Sequence, residues 1–162
     1  MTSSIRILIV DDEVQFLKAV GERLELRGFG VVTATNGLDA LEVADTQKFD
    51  LALVDLKMPG LNGQQVLEAL KEKHSYLEVI ILTGHGSLQS AVECTKLGAF
   101  GYLPKPYEFD KLVETLREAY EARMRKKFAA DAERLDRIGE IAMGQSPLGI
   151  LRALREIDDD EK

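Results

Sequence analysis

The chain has 162 residues, of which 45% are hydrophobic and 30% are charged, a balance that predicts a folded protein with a real core. Its formal net charge of -7 argues against direct binding of nucleic acid, because affinity for phosphate backbones depends on clustered cations. The single cysteine, Cys94, excludes an internal disulfide, and the apolar runs are too short for membrane insertion or a secretory signal, which predicts a cytoplasmic protein.

Five short apolar runs have the length of β-strands. In chain order they cover residues 5–10, 30–34, 51–54, 79–82 and 100–103. The runs are apolar at consecutive positions, as is typical of strands buried on both faces of a parallel sheet. Helical segments lie between them, and this alternation predicts an α/β fold with a doubly wound, five-stranded parallel sheet.

Apolar residues at helical spacing predict which faces of the first four helices are buried. These residues are Phe16, Leu17, Val20 and Leu24 in the first helix, Leu38 and Leu41 with Val43 and Ala44 beside them in the second, Val66, Leu67 and Leu70 in the third, and Ala91, Val92, Thr95 and Leu97 in the fourth. Cys94 falls within the fourth segment, where we expect a small packed side chain.

Polar side chains follow four of the five predicted strands. They are Asp11, Asp12, Glu13, Asp55, Thr83 and Lys105. In an open parallel sheet these positions meet at the edge where ligands bind. Clustered carboxylates repel one another unless a cation neutralises them, and hard oxygen donors favour Mg²⁺. A carboxylate can also accept a phosphoryl group, whose oxygens a lysine and a hydroxyl would stabilise.

Each of these residues also has a simpler explanation when it is taken alone. Any one of the three aspartates could cap the helix that follows it. Thr83 could be an ordinary strand-end residue, and Lys105 could be a surface lysine, although its flanking prolines favour a fixed position. Taken together at one sheet edge, the three aspartates, Thr83 and Lys105 favour a phosphoryl site over helix capping alone.

Four stretches, in this order and spacing, resemble the receiver domain of bacterial two-component response regulators. They are residues 7–13, 53–63, 81–84 and 98–106. The resemblance covers roughly the first three quarters of the chain, in keeping with ordinary domain length. It implies a flavodoxin-like receiver fold over residues 1–121 and leaves residues 122–162 as a helical extension.

The resemblance implies roles for the residues at the sheet edge. Asp55 would accept a phosphoryl group from a histidine kinase or a phosphotransfer protein. Asp12, Asp55 and the main-chain carbonyl of Lys57 would hold Mg²⁺, with Asp11 acting through a water. Lys105 would bind the phosphoryl group and would precede a cis bond to the following proline. The chain would catalyse only its own phosphoryl transfer and dephosphorylation, and would not be an enzyme with a separate substrate.

The resemblance also implies a switch. Thr83 would turn towards the phosphoryl group, and Tyr102 would follow it and reshape the face formed by the fourth helix, fifth strand and fifth helix. The added charge of about -1.5 to -2 is enough to bias a two-state loop. Without the resemblance, Tyr102 would be assigned to the core. Lys57 and His85 occupy positions that vary in the family and tune the phosphoryl lifetime.

The fifth helix is predicted to begin near Glu108 and to continue to about Met143, well past a receiver's usual end. Its apolar stripe consists of Leu112, Leu116, Tyr120, Met124, Phe128, Leu135, Ile138 and Ala142. The basic cluster at residues 123–127 is better explained as a solvated face than as a nucleic-acid site. A short amphipathic helix over residues 148–157, with Ser146 as its N-cap followed by Pro147 as a first-turn proline, and an acidic tail over residues 158–162 complete the extension.

We therefore expect a receiver that signals to a downstream protein target. A homodimer would form through the face from the fourth to the fifth helix or through the extension. One alternative is a receiver-like docking module that is never phosphorylated. Another is the N-terminal part of a receiver-containing transcription activator. In such activators an ATPase domain follows the receiver, and residues 144–147 of this chain faintly resemble the start of that domain. A Mg²⁺-dependent phosphatase of small molecules would usually need an acid two residues after Asp55, where this chain has Lys57.

Overall fold

The computed structural model describes residues 4–142, 151–152 and 154–156, apart from the side chains of residues 141 and 142. Strands and helices alternate along the described residues. Their bounds are β1 (Arg6–Val10), α1 (Val14–Leu26), β2 (Gly30–Ala34), α2 (Gly37–Thr46), β3 (Leu51–Val54), α3 (Gly63–Lys73), β4 (Glu78–Thr83), α4 (Leu88–Lys96), β5 (Gly101–Pro104) and α5 (Phe109–Ala142). The predicted order of elements is therefore confirmed.

The strands form one parallel sheet in the order β2-β1-β3-β4-β5. The direction of winding reverses between β1 and β3, so the carboxyl ends of these two strands flank the crevice where open α/β sheets bind ligands. The doubly wound sheet predicted from the sequence is confirmed, and its switch point coincides with the segments that carry the acidic residues.

The sheet has a hydrophobic core on each face, and residues of one strand alternate between the two cores. Ile7 and Ile9 face one core with α1 and α5, whereas Leu8 and Val10 face the other with α2, α3 and α4. Strands β1, β3 and β4 are buried almost throughout, which explains why they are apolar at consecutive positions.

The buried faces of α2 and α4 differ from the prediction. Leu38 and Val92 are 65% and 46% exposed, so their assignment to the buried faces is wrong, whereas Leu41 and Leu97 pack against the core. Helix α2 buries Ala44, which was placed beside the stripe, together with Gly37 and Ala40, which were not. A Cβ on Gly37 would lie only 2.7 Å from side-chain atoms of the α3 region, so small residues let α2 approach closely. Helix α4 buries only Cys94, which is a packed side chain as predicted.

Helix α5 continues past the predicted end of the receiver, as the sequence indicated. Residues Met1–Arg123 form one compact unit and Met124–Lys162 form a second. In the first unit α5 buries Leu112, Val113, Leu116, Ala119 and Ala122. Arg123 forms an ion pair of 3.1 Å with Asp50 at the edge of β3.

In the second unit, Met124, Phe128 and Leu135 are exposed. Of the short helix predicted over residues 148–157, residues 151–152 and 154–156 are helical. Its proposed cap at Ser146 and Pro147 and the acidic tail over residues 158–162 lie outside the described residues. Among the residues that the structure describes, no helix is both long and apolar enough to cross a bilayer.

Candidate functional site

The sheet holds Asp11 and Asp55 side by side. The main-chain N–H of Asp11 donates to Ala34 and that of Asp55 donates to Val10, which extends the hydrogen-bonded ladder one residue beyond the strands. Asp11 and Asp55 are buried and Asp12 is exposed. One carboxylate oxygen from each of the three lies within 4.8 Å of the others.

Asp55 carries a buried carboxylate oxygen that lacks a partner. Its Oδ1 accepts no hydrogen bond from the described residues. A buried charged oxygen without a partner is costly, and in native proteins such an atom calls for an explanation such as a catalytic role or an ion. All the side-chain donors here are carboxylate oxygens, the kind that Mg²⁺ prefers, so the cluster fits a hard divalent cation.

The capping explanation for the aspartates fails. Helix α3 is capped by Asn62, whose side chain accepts a hydrogen bond from the main chain of Gln65 in a capping box. Helix α1 begins after Glu13 and has no side-chain cap. Asp11 accepts a hydrogen bond of 2.9 Å from the N–H of Glu13, which turns the loop and does not cap the helix.

Lys105 lies among the carboxylates. Its Nζ donates to Asp11 Oδ2 at 2.5 Å, and lies 3.7 Å from Glu13 Oε1 and 4.0 Å from Asp55 Oδ2. Burial by itself would lower the pKa of Lys105, but the hydrogen bond to Asp11 and the surrounding negative charges outweigh burial and raise it. The side chain is therefore a charged ammonium group that is only 14% exposed.

Burial also raises the pKa of Asp11, and the charge of Asp55 adds to this effect. The hydrogen bonds from Lys105 and from the N–H of Glu13 oppose it but do not cancel it. The single lysine thus offsets only part of the repulsion and desolvation at this sheet edge. An added cation would complete the neutralisation.

The loop segments on either side of the site are fixed by main-chain contacts. The N–H of Lys105 donates to the carbonyl of Thr83, and the Lys105–Pro106 bond is cis, as the resemblance implied. A Cβ on Gly63 would lie 2.3 Å from the carbonyl oxygen of Asp55, so only glycine lets α3 begin this close to the acceptor. The loop between Asp55 and Gly63 is therefore tightly packed.

Lys57 and His85 are brought together at one cavity. The cavity has a volume of about 340 Å³ and is lined by Leu56, Lys57, Met58, Asn62, Gln64 and His85. The two residues come from the loops after β3 and β4, the loops that directly follow Asp55 and Thr83.

Thr83 and Tyr102 line a second cavity, of about 400 Å³, together with Lys105. Thr83 is buried, and its Oγ1 accepts a hydrogen bond of 3.1 Å from the N–H of His85. The hydroxyl of Tyr102 lies 3.1 Å from Ser90 Oγ on α4. A Cβ on Gly86 would lie 1.9 Å from that hydroxyl, so Tyr102 occupies space that only glycine leaves open.

Three residues at the site were not assigned a role from the sequence. Glu13 follows the aspartate pair directly, and its acidity was a usable signal. Phe16 was assigned to the buried face of α1 and packs against the core there, and its ring also lies against the ammonium group of Lys105. Ser90 contacts Tyr102 from α4, and no sequence pattern indicated this contact.

Comparison with known proteins gives a family match over residues 7–117, described as the response regulator receiver domain. Among curated proteins, the chain is 39% identical over 115 residues to the transcriptional regulatory protein GlrR of Escherichia coli K12. That alignment covers 71% of this chain and 26% of GlrR. The chain thus spans about a quarter of the length of the curated relatives it matches.

Solved structures give the same likeness. The crystal structure of a CheY-like response regulator receiver domain protein from Methanospirillum hungatei JF-1 has a TM-score of 0.74 and 31% identity, covering 76% of this chain and 99% of that one. The crystal structure of NtrX from Brucella abortus has a TM-score of 0.75 and 28% identity, covering 85% of this chain and 30% of that one.

Proposed function

The chain belongs to the response regulator receiver domain family, and from that membership we propose that it is a switch activated by phosphorylation of Asp55. Receivers are signalling switches and act on no separate substrate. The observation that carries the proposal is the buried Oδ1 of Asp55, which has no hydrogen-bond partner among the described residues and lies at the sheet edge where a phosphoryl group would be accepted. One of the two carboxylate oxygens of Asp55 is the nucleophile in the proposed reaction.

In the proposed transfer, an Asp55 oxygen attacks the phosphorus of a phosphohistidine on a kinase or a phosphotransfer protein. A P–O bond forms, the P–N bond breaks, and its electron pair returns to the imidazole, which takes up a proton. We assign Asp12, Asp55 and the main-chain carbonyl of Lys57 as ligands of Mg²⁺, with Asp11 acting through a water. Bound Mg²⁺ would supply neutralisation of the charge on the phosphoryl oxygens.

Lys105 and Thr83 stabilise the product. Lys105 Nζ, already 4.0 Å from Asp55 Oδ2, transfers its hydrogen bond from Asp11 to a phosphoryl oxygen. Thr83 Oγ1 accepts from the N–H of His85, and its own proton can be donated to a second phosphoryl oxygen. The same two residues line the cavity that Tyr102 enters, which supports a route from phosphorylation to the α4–β5–α5 face.

The proposal extends to lifetime and partners. Lys57 and His85 tune the lifetime of the phosphoryl group, a role supported by their place two residues after Asp55 and Thr83 and by the cavity that both of them line. Residues 1–121 act as the receiver in the cytoplasm. Residues 122–162 serve as a dimerisation or docking element. The exposed Met124, Phe128 and Leu135 support this role, and the α4–β5–α5 face is the other candidate for a homodimer contact.

A second candidate role follows from the relatives. The curated matches include transcriptional regulatory proteins, of which this chain spans about a quarter. The same receiver would then control a transcription regulator instead of a separate target protein. Both roles share the chemistry at Asp55 and differ in the protein or domain that responds to phosphorylation.

The test is the intact mass of the full chain after incubation with Mg²⁺ and acetyl phosphate, for the wild type and for Asp55→Asn. A gain of one phosphoryl mass in the wild type alone supports the proposal. The absence of any gain in the wild type would favour the docking module that is never phosphorylated. A pull-down with the phosphorylated chain and with Asp55→Asn then asks which partner depends on the phosphoryl group.

A further inference from the structure

We propose that Phe16 is a positioning residue for Lys105: its ring holds the ammonium group within reach of Asp55 and thereby sets the rate of phosphorylation. This inference rests on the proposed function, because it concerns the lysine that would bind the transferred group. Phe16 itself touches neither the phosphoryl group nor Asp55 in this account.

The ammonium group sits on the face of the ring. Lys105 Nζ lies 3.9 Å from the centroid of Phe16, well within the distance of about 6 Å at which a cation is attracted by an aromatic ring. The carboxylates of Asp11 and Glu13 contact the same ammonium group at 2.5 and 3.7 Å. Together they confine the ammonium group of a long side chain that would otherwise sample many rotamers.

The ring holds the lysine differently from the carboxylates. A carboxylate competes with an incoming phosphoryl oxygen for the same N–H donors, whereas the ring attracts the cation without accepting a strong hydrogen bond. Glu13 is 65% exposed, so its contact with the ammonium group lies on the solvent side of the site. Phe16 is therefore the contact that keeps Lys105 close to Asp55 while leaving its donors available for transfer.

The ring is itself fixed in place. Phe16 is half-buried in the first turns of α1 and meets Tyr107 edge to face, with centroids 6.0 Å apart and planes at 85°. This edge-to-face geometry is a preferred aromatic arrangement. Tyr107 lies two residues after Lys105, so a single ring contacts the loop that carries the lysine at two points. A packing role alone would not require the ring face to meet the cation.

The test compares Phe16→Leu, which keeps an apolar side chain but removes the ring, with Phe16→Tyr, which keeps the ring. Full-chain proteins are phosphorylated with acetyl phosphate and Mg²⁺, and the initial rate is followed by intact mass. We expect Phe16→Leu to be about three- to tenfold slower than the wild type, and Phe16→Tyr to stay within about twofold. Phe16→Met, which refills the volume, serves in the same way if Phe16→Leu does not fold.

Two further measurements separate positioning from packing. Phe29→Leu removes a buried ring from the same core, away from Lys105, and is expected to lower stability while leaving the rate unchanged. In NMR spectra, the ε-methylene protons of Lys105 should show an upfield ring-current shift that Phe16→Leu abolishes and Phe16→Tyr retains.

The inference is overturned if Phe16→Leu is phosphorylated at the wild-type rate or faster, if Phe16→Tyr is as slow as Phe16→Leu, or if the lysine shift is the same in all variants. These outcomes differ from failure of the proposed function, in which the wild type itself gains no phosphoryl mass.

Discussion

Lys105 donates a hydrogen bond of 2.5 Å to Asp11, a residue 94 positions earlier in the chain. The two side chains join the loop after β5 to the end of β1 across the mouth of the site. The lysine is thus hydrogen-bonded to Asp11, although it lies only 4.0 Å from the acceptor Asp55. Phosphorylation would therefore exchange one partner of Lys105 for another, and would not recruit a lysine from solvent.

The balance of charge at Asp11 leads to a prediction about pH. Burial raises the pKa of Asp11, so the folded chain binds this proton more tightly than the unfolded chain does. This contribution to the free energy of unfolding is fully present below the pKa that Asp11 has in the unfolded chain, and it is lost as pH rises through the pKa that Asp11 has in the folded chain. Without Mg²⁺, we expect Asp11→Asn to be more stable than the wild type at neutral pH, and to lose this part of the pH dependence.

Urea unfolding of both proteins in a metal chelator, from mildly acidic to neutral pH, measures this difference. If Asp11→Asn were the less stable protein at neutral pH, the carboxylate of Asp11 would stabilise the folded chain, which would contradict this prediction.

Mg²⁺ is expected to stabilise the folded chain. A ligand that binds only the folded state adds about 2.7 kcal/mol to the free energy of unfolding when its concentration is about 100 times its Kd. Asp12→Asn should lose most of this gain, because it removes one carboxylate of the oxygen cluster. The stabilisation by Mg²⁺ is measured for each protein by comparing thermal melts recorded with Mg²⁺ and with a chelator. Lys73→Ala, on the far end of α3, is the control and should respond to Mg²⁺ like the wild type.

Gly63→Ala should disturb the loop over the acceptor. The new Cβ would lie 2.3 Å from the carbonyl oxygen of Asp55, a main-chain atom that cannot rotate away. We expect a loss of about 1–3 kcal/mol in the free energy of unfolding and slower phosphorylation of Asp55. Gly21→Ala is a matched control inside α1. Its Cβ would meet Val31 at an ordinary 3.5 Å, and the change should add roughly 0.5–1 kcal/mol. Equal effects of the two substitutions would contradict the argument.

Gly86→Ala should displace Tyr102 from its resting place. A Cβ at residue 86 would lie 1.9 Å from the Tyr102 hydroxyl, which the side chain can relieve only by moving away from Ser90. We expect the NMR ring signals of Tyr102 to shift in the unphosphorylated variant. Ser90→Ala removes the hydrogen bond to Tyr102 without adding a methyl group. It also removes the side-chain bonds of Ser90 to Ser87 in the capping box of α4, so it should cost at least about 0.5–1.5 kcal/mol. Unchanged Tyr102 signals in Gly86→Ala would mean that this ring is not coupled to the loop after β4.

Much of the fold follows from local pattern. The apolar runs of β1, β3 and β4 are uninterrupted because both faces of the sheet are covered, and that pattern predicted parallel strands. The buried faces of α2 and α4 could not be read in the same way. Leu38 and Val92 are more hydrophobic than the small residues that pack, but close helix contact favours Ala40 and Cys94.

The convergence of Asp11, Asp55 and Lys105 was predictable, because residues at the carboxyl ends of parallel strands meet at one edge. The neighbours of Lys105 were not. That Phe16 contacts the lysine as well as the core depends on the tilt and rotation of α1 against the sheet, which many distant contacts determine together. The hydrogen bond between Ser90 and Tyr102 depends in the same way on how α4 lies beside β5.

The central claim, that Asp55 is the phosphoacceptor, is tested most directly by locating the modified residue. The chain is phosphorylated with acetyl phosphate and Mg²⁺, reduced with borohydride to convert an aspartyl phosphate to homoserine, digested, and mapped by mass spectrometry. We predict homoserine at residue 55 and at no other aspartate. Homoserine at residue 11 or 12 with Asp55 unmodified, or none anywhere in the chain, would contradict the account.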